Sequence, residues 1–191
     1  MNEFKKLPTA SLAAVRNIMR PGSEKLPDLS SPAQEILTDF ESTRPLMIEQ
    51  STGIVLAREL MRRAHVRLKL VIDADEQFKG VISLADLMSV KVMQAKERTG
   101  LAVDELTVGD IMTPKNSLHA IDIKQFSHAS IGDLIETMKT FGEQHVLVVD
   151  SQQDCIRGIV SSSDITRCLH IPLLISERAN SFSDVYRAVR G

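Results

Sequence analysis

One eight-residue pattern occurs twice in this chain. GVISLADL at 80–87 and GIVSSSDI at 158–165 share Gly, two aliphatics, Ser, two variable residues, Asp and an aliphatic, displaced by 78 positions. In 191 residues, a repeat this long confines the fold to two copies of one supersecondary unit, each too small to bury a core alone.

The repeat extends upstream. LKLVID (68–73) aligns with HVLVVD (145–150) at an offset of 77. Each is an aliphatic run ending in Asp, the pattern of a buried parallel-type strand. Polar turns, ADEQF and SQQDC, then lead to the Gly of each motif. Further upstream Ile54, Ala57, Met61 and Ala64 align with Ile131, Leu134, Met138 and Phe141, at spacings that mark one helical face. Each copy is therefore predicted as helix, strand, turn, strand, helix, in the α/β class.

A shorter element opens each copy. In the second it is GDIMTP (109–114), and two segments compete to be its partner in the first. VRNIMRP (15–21) is closer by letters but demands an offset of 93, whereas EILT (35–38) matches DIMT at 75, near that of everything downstream. EILT is taken as the partner. Ser31, Pro32 and Gln34 before it predict a capping box with Pro at the first helical position, matched by Thr107 and Asp110. The predicted organisation is an arm over 1–30 with a short helix around 10–19, a first copy over 31–99 and a second over 100–172. A C-terminal segment, 173–191, carries a short amphipathic helix with Phe182, Val185 and Val189 on one side.

Composition narrows the function. The formal charge of −2 and pI near 6.2 argue against a general nucleic-acid binder, and 4% aromatics with no Trp leave little for base stacking. No run approaches the ~20 apolar residues of a bilayer span, and the N-terminal residues lack a signal-peptide core, so a cytoplasmic protein with no membrane role is expected. Cys155 and Cys168 have no metal-ligand spacing. Nucleophile elbow, phosphate-binding loop and metalloprotease motifs are not found, so an enzyme is not expected and no metal or catalytic residue is assigned.

Two copies that open with a DIMT-like element and close with G-h-h-S-x-x-D-h resemble the CBS domain, and together a Bateman module. DIMTP, HVLVVD and GIVSSSDITR carry the resemblance, which covers about 31–172; copy one diverges, with EILTDF for DIMTP. It implies tandem CBS domains: two pseudo-symmetric β-α-β-β-α units packed through their sheets, with two clefts that in many members bind AMP, ADP, ATP or S-adenosylmethionine. No cofactor is required; the adenine nucleotide or S-adenosylmethionine would be a regulatory ligand. It also implies homodimers, for which the apolar Leu87, Met88, Val92 and Met93 on a helix predicted over 84–98 are the candidate surface.

Carried over by position, the ribose and phosphate candidates are Ser161 and Asp164 in one site and Ser83 and Asp86 in the other. An Asp at a helix start can accept from both ribose hydroxyls. Ile159 and Val160 would form an apolar slot for adenine, whose edge faces Met112 and Thr113, with Thr38 at the other adenine-side loop. Phosphate would meet Arg67 and His145 before or at the strand, with Arg167 one helical turn after Asp164. Copy two, with the intact motif, is expected to hold the better-equipped ribose site. Each residue has a plainer reading: Ser-x-x-Asp before a helix is also a capping box, and the cations around 58–69 could be a solvated face. Two functions stay open, a stand-alone regulatory sensor signalling to an unknown protein partner, or a dimeric structural module whose clefts bind nothing.

Overall fold

Each aliphatic run becomes a strand because its alternate side chains find apolar cover on both faces. In the computed structural model, which describes residues 4–19 and 26–170, the first copy runs through β1 (Thr38–Asp39), β2 (Met47–Glu49), α1 (Ile54–Arg63), β3 (Leu68–Ile72), β4 (Phe78–Ser83) and α2 (Val90–Thr99). The second runs through α3 (Val108–Ile111), β5 (Thr113–Pro114), β6 (Ala120–Asp122), α4 (Ile123–Phe126), α5 (Ile131–Phe141), β7 (His145–Asp150), β8 (Cys155–Ser161) and α6 (Ser162–Leu169). In each copy a helix crosses over from a short strand to a parallel neighbour, which then forms an antiparallel hairpin. The copies match even in their irregularities: both hairpins have a bulge, after Val71 and after Val148, and both turns have a positive-φ residue, Glu76 and Asp154.

The two copies exchange their opening strands. The sheet orders are β1-β8-β7-β6 and β2-β3-β4-β5, so β1 of copy one completes the sheet of copy two and β5 of copy two completes that of copy one. Thr38 pairs with Ile159 and Thr113 with Val81, which are equivalent positions. EILT is thus the structural counterpart of DIMT. Arg157 on β8 fastens one exchange with a bidentate contact to Asp39, Nε–Oδ1 2.8 Å and Nη2–Oδ2 2.9 Å, which holds that carboxyl below the usual range.

The cores follow the exchange. Ala33 and Ile36 pack with Phe126, Leu134 and Met138, while Leu106, Val108 and Ile111 pack with Ala57, Met61 and Ile82. Between the sheets lies a third cluster, Leu70, Val81 and Leu147, flanked by Leu68 and Ile159. The predicted helical faces are buried at Ile54, Ala57 and Met61 and at Ile131, Leu134 and Met138. Ala64 and Phe141, at the last turns, overhang the core: Ala64 is exposed and Phe141 half-buried.

Some local expectations give way to tertiary contacts. Ser31 does not cap the 3-10 turn Ala33–Ile36; its hydroxyl accepts from the Asp28 N–H and its carbonyl from the Ile131 N–H. The box at Thr107 and Asp110 forms as predicted. The helix expected over 84–98 is broken at Ser89, which adopts an extended backbone and caps α2 by accepting from the Lys91 N–H. Residues 10–19 form only a turn at Ala13–Ala14, with every side chain exposed, since so short a helix without a surface to pack against is marginal. The helix expected near Phe182, Val185 and Val189 lies outside the described residues.

Candidate ligand cleft

The motif glycines exist because of the strand exchange. A Cβ on Gly80 would overlap the Thr113 carbonyl oxygen and lie 3.0 Å from Pro114 Cα; on Gly158 it would lie 2.6 Å from the Thr38 carbonyl oxygen. Only glycine lets the borrowed strand approach this closely. Its arrival brings Thr113 beside the Ser83–Asp86 turn and Thr38 beside the Ser161–Asp164 turn, so each cleft combines a threonine from one copy with an aspartate from the other.

Serine and aspartate first serve as caps. Ser83 Oγ donates to Asp86 Oδ2 at 2.6 Å and accepts from the Asp86 N–H at 3.0 Å, and Ser161 does the same for Asp164 at 2.5 and 3.1 Å. This occupies Oδ2 and leaves Oδ1 facing outward. There it meets a cation: Lys91 Nζ lies 2.6 Å from Asp86 Oδ1, and Arg167 Nη1 lies 3.1 Å from Asp164 Oδ1.

The two clefts are unequal. That of Asp86 encloses about 610 Å³, with an apolar floor of Leu68, Val81, Leu147 and Ile159. Ser83, Asp86, Lys91 and Thr113 form one wall, and His119, Phe141, Glu143 and His145 the other. The Asp164 hollow measures about 320 Å³ and is bordered by Thr38, Arg167 and Cys168. Of the residues singled out from sequence, Ser83, Asp86, Thr113, Arg67, His145 and Ile159 share the larger cleft, while Thr38, Asp164 and Arg167 share the smaller. Ser161, half-buried, stays with its cap. Val160 cannot line an adenine slot: strand alternation turns it into the core of copy two, fully buried, and Ile159 alone faces the cleft. Met112 is half-buried against the core of copy one.

The basic cluster resolves into one cleft residue. Arg58 and Arg62 are exposed, Arg63 pairs with Glu59, and Lys69 donates to the Met47 carbonyl. Arg67 lines the cleft, its Nη1 donating to Ser163 Oγ of copy two at 3.1 Å. His145 stands between the two motifs. Burial pushes its imidazole below the ordinary range; Asp164 pulls it back up, Arg67 lowers it and Asp86 raises it.

Sequence reasoning missed Lys91, His119, Phe141 and Glu143. The His119 ring stacks on Phe141 at 4.2 Å between centroids, and its Nδ1 lies 3.0 Å from Glu143 Oε1. Phe141 had a signal, the helical spacing, which points to the core; His119 had none. Among the described residues no cluster of His, Cys, Asp or Glu is arranged to hold a metal, and no helix is long and apolar enough to cross a membrane.

Two exchanged α/β units around paired clefts, with a Ser-x-x-Asp turn facing each, define a tandem repeat whose clefts are shared between its copies. The chain belongs to the CBS domain family: the CBS domain matches at residues 37–92 and again at 108–171. Among solved structures, an uncharacterized conserved protein from Pyrococcus horikoshii is 22% identical, with a TM-score of 0.56 over 77% of this chain and 98% of that one. CBSX2 of Arabidopsis thaliana, solved in complex with AMP, is 20% identical, with a TM-score of 0.52 over 72% of this chain and 94% of that one. The CBS domain pair of MJ0100, in complex with 5′-methylthioadenosine and S-adenosyl-L-methionine, is 18% identical, with a TM-score of 0.51 over 72% and 98%. A search of curated proteins gives no match.

Proposed function

We propose that this protein is a non-catalytic regulatory module that binds an adenosine-containing ligand in the Asp86 cleft and signals occupancy to a protein partner. The observation that carries this reading is the convergence of Asp86, Thr113 and Arg67 on an apolar floor contributed by both copies. The floor suits an adenine ring, the Asp86 carboxylate suits a ribose diol, and Arg67 suits a phosphate. AMP in CBSX2 and S-adenosyl-L-methionine in MJ0100 show that the fold accepts such ligands elsewhere. Because the walls come from different copies, a ligand that prefers one inter-copy angle shifts the population toward it. A structural module with non-binding clefts is the second reading, favoured by the capped and ion-paired state of both aspartates.

Denaturing the purified protein and identifying released small molecules by mass spectrometry, followed by thermal shift with AMP, ADP, ATP and S-adenosylmethionine, separates the two. A ligand at 100 times its dissociation constant adds about 2.7 kcal/mol, which raises the melting temperature of a domain this size by roughly 5–10 °C. No released adenosyl compound and no shift with any of the four would support the structural reading instead.

The module works as a homodimer in this proposal. Leu87 is buried and Val92 packs on the core, but Met88 and Met93 stay exposed beside Val90, and Val55, Leu56 and Leu60 line the outer side of α1. Beyond the arm, the exposed large hydrophobics of the described residues run from Leu46 to Val103, most of them on copy one. Light scattering at micromolar concentration is expected to give twice the chain mass of 21.2 kDa. A single-chain mass would remove the dimer.

A further inference from the structure

Lys91 occupies the place in the cleft where a ribose would bind. Its ammonium lies 2.6 Å from Asp86 Oδ1 and 3.3 Å from Thr113 Oγ1, bridging the aspartate of copy one to the borrowed strand of copy two. Asp86 Oδ2 already accepts from the Ser83 N–H and Oγ, so Oδ1 is the oxygen left for a ligand. The pair is largely withdrawn from solvent, with the Lys91 and Asp86 side chains 28% and 16% exposed. Copy two also sets a cation against its aspartate but from a different place: the position at the motif offset of 78 from Lys91 is Leu169, and the partner there is the largely exposed Arg167.

We propose that Lys91 is a transferable counter-ion that makes the Asp86 cleft selective for phosphate-bearing adenosine ligands over uncharged or sulfonium ones. The inference rests on the adenosyl-ligand reading above and names the ligand class within it. A diol that takes Asp86 Oδ1 displaces the ammonium, and a half-buried ammonium without a counter-charge is costly. The protein offers no ready substitute: Glu143, the other carboxylate lining the cleft, is engaged by His119. The guanidinium of Arg67, the neighbouring cation, has only the neutral Ser163 hydroxyl as a hydrogen-bond partner among the described residues. The incoming ligand must therefore bring the anion, and the flexible lysine stem can follow it. A phosphate on the ribose supplies that charge. Adenosine supplies none, and S-adenosylmethionine sets a sulfonium beside its ribose and carries its one carboxylate, next to an ammonium, at the far end of the methionine chain. The Asp164 hollow lacks this device, because its partner Arg167 is 77% exposed and can be released into water.

The test is calorimetric titration of AMP, adenosine and S-adenosylmethionine into the full chain and into Lys91→Met. Wild type is expected to bind AMP at least about tenfold more tightly than either other ligand, a difference of about 1.4 kcal/mol. Lys91→Met should bind adenosine more tightly and AMP less tightly, narrowing their ratio by about tenfold or more. Lys91→Arg should restore the ratio, and Lys91→Gln replaces Lys91→Met if circular dichroism shows the latter misfolded. An unchanged ratio, a parallel loss of both ligands, or wild-type binding of S-adenosylmethionine as tight as AMP would overturn the exchange while leaving the adenosyl reading intact. Failure of wild type to bind any of the three would overturn that reading and the exchange with it.

Discussion

Gly80→Ala is expected to destabilise the protein by roughly 3–5 kcal/mol, lowering its melting temperature by about 10 °C or more, if it folds at all. The added methyl meets backbone only: it would overlap the Thr113 carbonyl oxygen and lie 3.0 Å from both Thr113 C and Pro114 Cα. No flexible side chain can move aside, so β5 must leave β4. That removes the ladder at Gly80–Pro114 and Val81–Thr113 and withdraws Thr113 from the cleft. Gly158→Ala should cost less, because one of its close contacts, Leu37 Cδ1 at 2.8 Å, is a movable side-chain end. Gly100→Ala isolates strain from crowding. Gly100 has φ +73° with nothing within 4 Å of a Cβ, so about 1–2 kcal/mol is expected. Thermal unfolding followed by circular dichroism ranks the three, and a Gly80→Ala melting within 3 °C of wild type, roughly 1 kcal/mol on this scale, would contradict the exchanged-strand account.

Asp86→Asn should weaken adenine-nucleotide binding by about ten- to a hundredfold, the loss expected for hydrogen bonds to a charged acceptor. Asparagine can still accept from Ser83 and keep the turn, while Lys91 loses its counter-charge, so fold stability should fall by about 1–3 kcal/mol. What it loses is the outward-facing anionic oxygen, now held by Lys91. Asp164→Asn provides the internal comparison. The intact GIVSSSDI motif favours Asp164 from sequence, but that residue borders the 320 Å³ hollow while Asp86 borders the 610 Å³ cleft. The larger effect is therefore assigned to Asp86. Equal losses in the two variants would place ligand in both clefts, and a loss confined to Asp164→Asn would return the site to copy two.

Much of the fold was legible because burial has a period. LKLVID and HVLVVD became neighbours of the parallel strands, and the helical faces at Ile54, Ala57 and Met61 and at Ile131, Leu134 and Met138 lie in the cores. The offset and the Ser31–Gln34 lead-in chose EILT over VRNIMRP; the register at Thr38 and Thr113 agrees with the offset, although the lead-in forms no capping box. The exchange of opening strands was not legible, since no local pattern distinguishes a strand that pairs with its own copy from one that pairs with the other. The break at Ser89 was hidden by apolar residues on both sides of it. Lys91 was missed for a different reason: comparing copies finds only what both retain, and copy two has Leu169 there. Val160 was misplaced by treating two adjacent strand residues as one surface, although they face opposite ways.

The most direct measurement is a calorimetric titration of AMP into the full chain, Asp86→Asn and Asp164→Asn under one set of conditions. Saturable binding at one site per chain, weakened about tenfold or more in Asp86→Asn and little changed in Asp164→Asn, is the predicted result. Binding that Asp86→Asn leaves untouched in a folded protein, or no binding at millimolar AMP, would contradict the assignment of this cleft as an adenosyl-ligand site.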